Sequence, residues 1–107
     1  MSILMNATLY LPHLPPQAVS TEGLVLPNPV TGLVGVPAAV PPLLGCVPEL
    51  VDMLASGPNY VAYSIFDCEG EVNQVAMEAV AAVSGVSFES DDEDAVLRGS
   101  VLIVTRN

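Results

Sequence analysis

The chain has 107 residues, of which 51% are hydrophobic and 13% charged, and its twelve carboxylates against two arginines give a net charge of -10 at pH 7. This charge repels phosphate groups, which argues against direct binding to nucleic acid or to anionic membranes and favours a partner with a basic surface. The same charge also serves to keep an apolar protein soluble. Because typical domains carry about 25% charged residues, part of the surface is expected to be unusually apolar or covered by a partner.

The length predicts a single domain over residues 1–107. The first elements of this domain are predicted to be a strand and a long loop. Residues 3–11 are an apolar run that ends at Pro12, which predicts a buried strand. Residues 12–29 are expected to form an extended, proline-punctuated loop that suits a partner or the protein's own sheet edge. Residues 23–48 carry no charge, but their six prolines are incompatible with a transmembrane helix.

Two helices are predicted in the remainder of the proline-rich half. The first is a short helix over residues 31–36, limited by Pro37. The second is a better helix over residues 48–56, because proline occupies its first turn and Gly57 follows its end.

The second half predicts two or three strands and one long helix. Residues 60–66 are rich in β-branched and aromatic side chains and predict a central strand, and residues 100–105 predict a final buried strand. The clearest helix spans residues 71–84 and is closed by Gly85. Its expected core face consists of apolar residues at helical spacing: Val72, Val75, Ala76, Ala79, Val80 and Val83. Residues 86–88 are a candidate for an additional short strand.

This order of elements predicts an α+β fold. The expected architecture is a small two-layer sandwich of ferredoxin-like type, with the helices on one face of a sheet of about four strands.

The reactive side chains do not form a recognisable catalytic or metal-binding motif. His13 is the single histidine, and no serine or cysteine accompanies it at a known catalytic spacing. Cys46 and Cys68 lack the close pairing that zinc sites usually show. We therefore expect no enzyme activity, no cofactor and no metal, and we expect two buried thiols in a reducing cytoplasm.

The strongest candidate for a binding site is an acidic stretch over residues 89–94. It contains five carboxylates, Glu89, Asp91, Asp92, Glu93 and Asp94. It lacks the glycine and the closing glutamate of a calcium-binding loop. The stretch is either a solvated loop, a loose cation site or a phosphate-like surface that binds lysines and arginines of a partner protein.

The N-terminal half also resembles a known family. The similar stretches are Leu11-Pro12-His13-Leu14, Gln17-Ala18 and residues 27–34 (PNPVTGLV). They resemble the start of the Cas5-like (RAMP superfamily) subunit of type I-F CRISPR surveillance complexes, where a strand ends in Leu-Pro-Arg-Leu and a later Thr-Gly-Phe opens the first helix. Residues 61–67 and 98–104 are similar to two further strands of that family.

The resemblance implies a shared fold and a shared partner-facing surface rather than a shared activity. The family caps the 5′ end of a guide RNA with basic residues. Here His13 stands where the family has arginine, and lysine is absent. The implied function is therefore an acidic, anti-CRISPR-like phage inhibitor that docks on a basic nucleic-acid-binding surface of a type I-F complex. The alternative is a structural or assembly subunit of a phage particle or another homo-oligomeric shell, in which the apolar surface makes subunit contacts.

Overall fold

The computed structural model of the chain describes residues 5–28, 30–32, 34–66, 70–85 and 96–106. Its elements, in chain order, are β1 (Met5–Tyr10), β2 (Gln17–Val19), α1 (Val40–Leu44), a 3-10 turn (Pro48–Leu50), β3 (Val51–Gly57), β4 (Tyr60–Ile65), α2 (Gln74–Ser84) and β5 (Val101–Arg106). The residues described thus combine one sheet with two short helices, which confirms the α+β class.

The sheet has the strand order β2-β1-β5-β4-β3, and every neighbouring pair is antiparallel. The last strand of the chain, β5, therefore lies in the centre, between β1 and β4. The predicted strands over residues 3–11, 60–66 and 100–105 correspond to β1, β4 and β5. The β-branched side chains of β4 and β5 fit a pleated surface, and β1 was predicted from the largely apolar run that ends at Pro12.

Both faces of the sheet are covered. On one face Leu102, Val104 and Tyr63 pack with α1 and the preceding segment, and on the other face Val101 and Ile103 pack with α2. All four residues from Val101 to Val104 are buried, because successive side chains point to opposite faces and each face has its own apolar layer. The prediction that the helices share one face is therefore wrong.

The finer fold prediction is not confirmed. A ferredoxin-like sheet is also antiparallel, but both of its helices pack on one face, whereas α1 and α2 lie against opposite faces of the sheet here. The sheet also has five strands rather than about four. The additional strands come from two segments that were predicted to be a loop and a helix.

The first of these segments is the proline-punctuated stretch of residues 12–29. Its residues Gln17–Val19 form β2, which pairs with β1 at one edge of the sheet. The expectation that the stretch suits the protein's own sheet edge is confirmed for these three residues. Pro15 and Pro16 lie directly before this strand and limit it on that side, because proline donates no ladder hydrogen bond.

The second segment is residues 48–56, where the predicted helix is wrong. Proline opens only a single 3-10 turn, Pro48–Leu50, and the chain then becomes the edge strand β3. Gly57 and Tyr60 face each other across a two-residue turn, so Gly57-Pro58 ends a strand and starts a hairpin instead of closing a helix. The local proline and glycine pattern fits both structures, and pairing with the strongly strand-forming β4 decides between them.

The short helix predicted over residues 31–36 is also misplaced. None of the described residues in that range is helical, and the helix α1 begins after Pro37, at Val40. Pro37 disfavours helical backbone in the residue before it. Pro41 and Pro42 lie in the first turn of α1, where a missing N–H costs nothing. Gly45 ends the helix in a left-handed conformation, with φ 81°.

The helix predicted over residues 71–84 is confirmed in type, and it begins at Gln74. Gly85 closes it as expected, with φ 77° and its N–H donating to the carbonyl of Ala81. The buried residues of the helix are Ala76, Met77 and Val80, whereas Val83 is 37% exposed. The predicted core face is therefore correct at Ala76 and Val80 and wrong at Val83.

The predicted short strand over residues 86–88 lies outside the described residues.

Candidate protein-binding surface

The predicted partner-binding residues, Glu89, Asp91, Asp92, Glu93 and Asp94, lie outside the described residues, so their role stays a prediction. The candidate surface described below is built from other residues.

The single histidine makes one ion pair. His13 Nε2 lies 2.9 Å from Glu71 Oε2, and both side chains are more than two-thirds exposed. His13 also has a positive φ of 61°, which is uncommon for a residue with a side chain. A solvated pair of this kind contributes little stability and offers no buried nucleophile or substrate cleft for acid–base chemistry.

Of the candidate metal ligands, the structure describes His13 and Cys46 but not Cys68. In the described part of the chain, no group of three or more His, Cys, Asp or Glu side chains is positioned to hold a metal ion. Cys46 is a half-buried thiol that follows α1, and Cys68 lies outside the described residues. His13 instead pairs with Glu71, as described above.

The open end of the β3–β4 hairpin carries exposed apolar side chains. Leu50 is 40% exposed and Phe66 is 61% exposed. The two residues are neighbours, because the N–H of Phe66 donates a hydrogen bond to the carbonyl of Leu50 at 2.7 Å. A large aromatic side chain that remains mostly in water is unfavourable for an isolated chain and is typical of a surface that a partner covers.

Two carboxylates accompany this apolar pair. Glu49 directly precedes Leu50 in the 3-10 turn, and Asp52 is paired with Ser64 two residues further along the hairpin. Both side chains are exposed, and within the described part of the chain neither forms an ion pair. We name Glu49, Leu50, Asp52 and Phe66 the hairpin-base surface. It combines exposed apolar area with negative charge.

A groove lies beside α1, and we name it the proline groove. It has a volume of about 550 Å³. Most of its lining is proline and small apolar residues: Val36, Pro37, Ala38, Pro41, Pro42, Cys46, Val47 and Pro48. Pro48 connects it to the hairpin-base surface, because Glu49 is the next residue in the chain.

A buried tyrosine connects the sheet to the segment that leads into this groove. Tyr63 on β4 is fully buried, and its hydroxyl donates a hydrogen bond to the carbonyl of Gly35 at 2.9 Å. Gly35 is next to the groove residue Val36, so this bond fixes the groove segment to the sheet. Burial raises the pKa of Tyr63 above its ordinary value, because the charged phenolate would lose hydration.

Comparison with protein-family models, with curated protein sequences and with solved structures finds no match for this chain. Among the described helices, none has both the length and the apolar character that crossing a bilayer requires.

Sequence reasoning missed the hairpin-base surface because it predicted a helix over residues 48–56. On that helix Glu49 and Asp52 would have formed an ordinary solvated face. The useful signal was compositional, since the low charge content predicted exposed apolar area. The identity of the exposed residues depends on strand pairing, which places Phe66 at the end of β4 next to Leu50.

Proposed function

We propose that the chain is a non-enzymatic protein-binding module that docks on a basic, nucleic-acid-binding surface of another protein. The observation that carries this proposal is the hairpin-base surface, where the exposed Leu50 and Phe66 stand beside Glu49 and Asp52. Apolar contact provides most of the binding free energy in such interfaces, whereas charge selects the partner and speeds the encounter.

The charge of the whole chain supports a basic partner. A net charge of -10 creates a negative potential around the molecule that attracts lysine- and arginine-rich surfaces over a distance of about 10 Å at moderate salt. Neither carboxylate of the hairpin-base surface forms an ion pair with a residue that the structure describes. A partner's lysine or arginine placed against them would form favourable pairs without breaking an existing one.

The particular partner that we propose is a type I-F CRISPR surveillance complex. The resemblance of residues 11–34 to the Cas5-like subunit supports a surface that fits this complex. The acidic stretch from Glu89 to Asp94 would then face a basic channel that otherwise holds nucleic acid. In this role the protein is an acidic inhibitor in the cytoplasm that prevents target DNA from binding.

Co-elution tests this proposal. The purified chain is mixed with a purified type I-F surveillance complex and passed over a sizing column, alongside the chain alone. We expect co-elution, and we expect the double variant Glu49→Lys/Asp52→Lys to weaken binding by at least about tenfold. The matched control is Glu22→Lys/Glu78→Lys, which changes the net charge equally at exposed positions elsewhere.

Two results would count against the proposal. Separate elution of the chain and the complex would reject the type I-F partner. Equal weakening by both double variants would show that only the net charge matters, and the hairpin-base surface would then lose its assigned role.

A second candidate function is a subunit of a phage particle or another homo-oligomeric shell. It is favoured by apolar side chains elsewhere on the surface: Val25 is 49% exposed and lines a cavity of about 300 Å³, and Val30 is 90% exposed. Subunit contacts would cover these side chains. Sedimentation analysis discriminates the two functions, because a shell subunit forms large assemblies by itself whereas a binding module requires the partner.

A further inference from the structure

We propose that the proline groove receives an aromatic side chain of the basic partner, while a lysine or arginine next to that side chain pairs with Glu49. This inference rests on the proposed function and assigns the position and chemistry of one anchoring contact. The groove selects the partner by its aromatic side chain, and Glu49 of the hairpin-base surface pairs with the adjacent basic residue.

The groove is held open by its own backbone. Proline rings fix φ near about -65°, and four of the eight lining residues are proline. α1 is closed by two hydrogen bonds to the carbonyl of Pro41, from the N–H of Gly45 at 2.8 Å and from that of Cys46 at 3.1 Å. Val40 and Leu44 anchor the same helix in the core. A site that is already formed costs little ordering entropy when it binds.

The chemistry of the lining selects an apolar guest. Its side chains are proline, valine and alanine, with the thiol of Cys46 as the exception. The volume of about 550 Å³ falls within the usual range of small ligand pockets and exceeds what one small aliphatic side chain fills. An aromatic side chain supplies a large contact area at a low cost in conformational entropy, and this makes it the best single anchor for such a groove.

The carboxylate that follows the lining residue Pro48 in the chain favours a basic partner as the source of that aromatic side chain. Glu49 follows the lining residue Pro48 directly, is exposed and forms no ion pair with any other described residue. A second copy of this chain is a poor occupant, because a symmetric contact would place the Glu49 side chains of the two copies near each other and bring together two chains of charge -10. A basic segment with one aromatic residue satisfies both the apolar lining and the carboxylate.

A peptide selection tests this inference. Short random peptides displayed on phage are selected on the full chain, with counter-selection on an Ala38→Phe variant, in which a bulky side chain fills the groove. Ala38 is exposed, so the substitution adds volume without entering the core. We expect the enriched peptides to combine one aromatic residue with lysine or arginine.

The affinity of the most enriched peptide is then measured by fluorescence anisotropy. We expect Ala38→Phe to weaken binding by at least about tenfold and Val47→Ser, which removes part of the apolar wall, to weaken it several-fold. Glu49→Gln should weaken binding, with a reduced dependence on salt. The matched control is Ala18→Phe, at an exposed alanine on β2, which should bind as the unmodified chain does. Circular dichroism verifies that each variant is folded.

The outcomes separate this inference from the proposed function. Basic peptides that bind equally to Ala38→Phe, and that keep their affinity when the aromatic residue becomes serine, would overturn the groove assignment and leave the basic partner in place. Failure to enrich basic peptides would overturn both proposals. A self-association that Ala38→Phe abolishes would overturn the groove assignment, because a second copy would then be the occupant.

Discussion

The side-chain amide of Asn73 donates a hydrogen bond to the carbonyl of Gly99 at 2.7 Å, and this bond ties the start of α2 to the segment that enters β5. The same amide donates to the carbonyl of Tyr10 at the end of β1, and Asn73 Oδ1 accepts from the N–H of Ala76. Asn73 is completely buried. One polar side chain therefore caps a helix and satisfies two carbonyls near the ends of adjacent strands.

Replacing this residue should be costly. We expect Asn73→Ala to lower the free energy of unfolding by about 2–3 kcal/mol, because the helix cap is lost and two carbonyls lose their donor. Urea unfolding followed by circular dichroism measures the loss. Gln74→Ala, at the exposed adjacent position, is the control and should change stability by less than about 0.5 kcal/mol. Equal stability of the two variants would refute the structural role of Asn73.

Tyr63→Phe tests the bond beneath the proline groove. At neutral pH we expect a loss of about 1 kcal/mol, because the carbonyl of Gly35 loses its donor. Burial raises the pKa of Tyr63, so the folded state holds the phenol proton more tightly than the unfolded state does. The stability that the protonated phenol of Tyr63 contributes is therefore complete below about pH 10 and is lost as the pH rises through the folded-state pKa.

Urea titrations from neutral pH to about pH 11 measure this effect. The unmodified chain should lose stability more steeply above about pH 10 than Tyr63→Phe, which lacks the buried phenol. The control variant Tyr60→Phe keeps the buried phenol of Tyr63, and its stability should change with pH as that of the unmodified chain does. Parallel pH profiles for the unmodified chain and Tyr63→Phe would contradict the prediction.

Two substitutions on α2 test its core face. Val80 is 1% exposed and packs between the helix and the sheet, whereas Val83 is 37% exposed. We expect Val80→Asp to lose about 3–5 kcal/mol and to unfold the domain, because an unpaired carboxylate would be buried. Val83→Asp should remain folded. Thermal melts compare the two variants, and a folded Val80→Asp would show that the helix packs through another face.

The acidic stretch gives a prediction about binding rather than stability. If it faces the basic partner, charge reversal of Asp91, Asp92, Glu93 and Asp94 to lysine should abolish binding to the type I-F complex and leave the circular dichroism spectrum unchanged. The Glu22→Lys/Glu78→Lys variant reports the effect of reducing the negative charge elsewhere. Unchanged affinity of the reversed stretch would remove it from the interface.

The sequence predicted the elements whose local pattern and tertiary role agree. β4 and β5 are rich in β-branched side chains, β1 lies in a largely apolar run that ends at Pro12, and α2 has helical spacing with Gly85 at its end. Prediction was wrong over residues 48–56, because a proline followed by mixed residues and a glycine fits a short helix as well as a turn and a strand. Pairing with β4, which only the assembled sheet supplies, selects the strand.

The sequence by itself determined the α+β class and the acidic charge. Its low content of charged residues also predicted that part of the surface would be apolar. The tertiary structure alone decided that the helices cover opposite faces, that Asn73 is buried and that Leu50 and Phe66 meet beside two carboxylates. The physical reason is the range of the interactions involved. Propensity and periodicity act within a few residues, whereas a surface is made by strand pairings and packing between residues far apart in the chain.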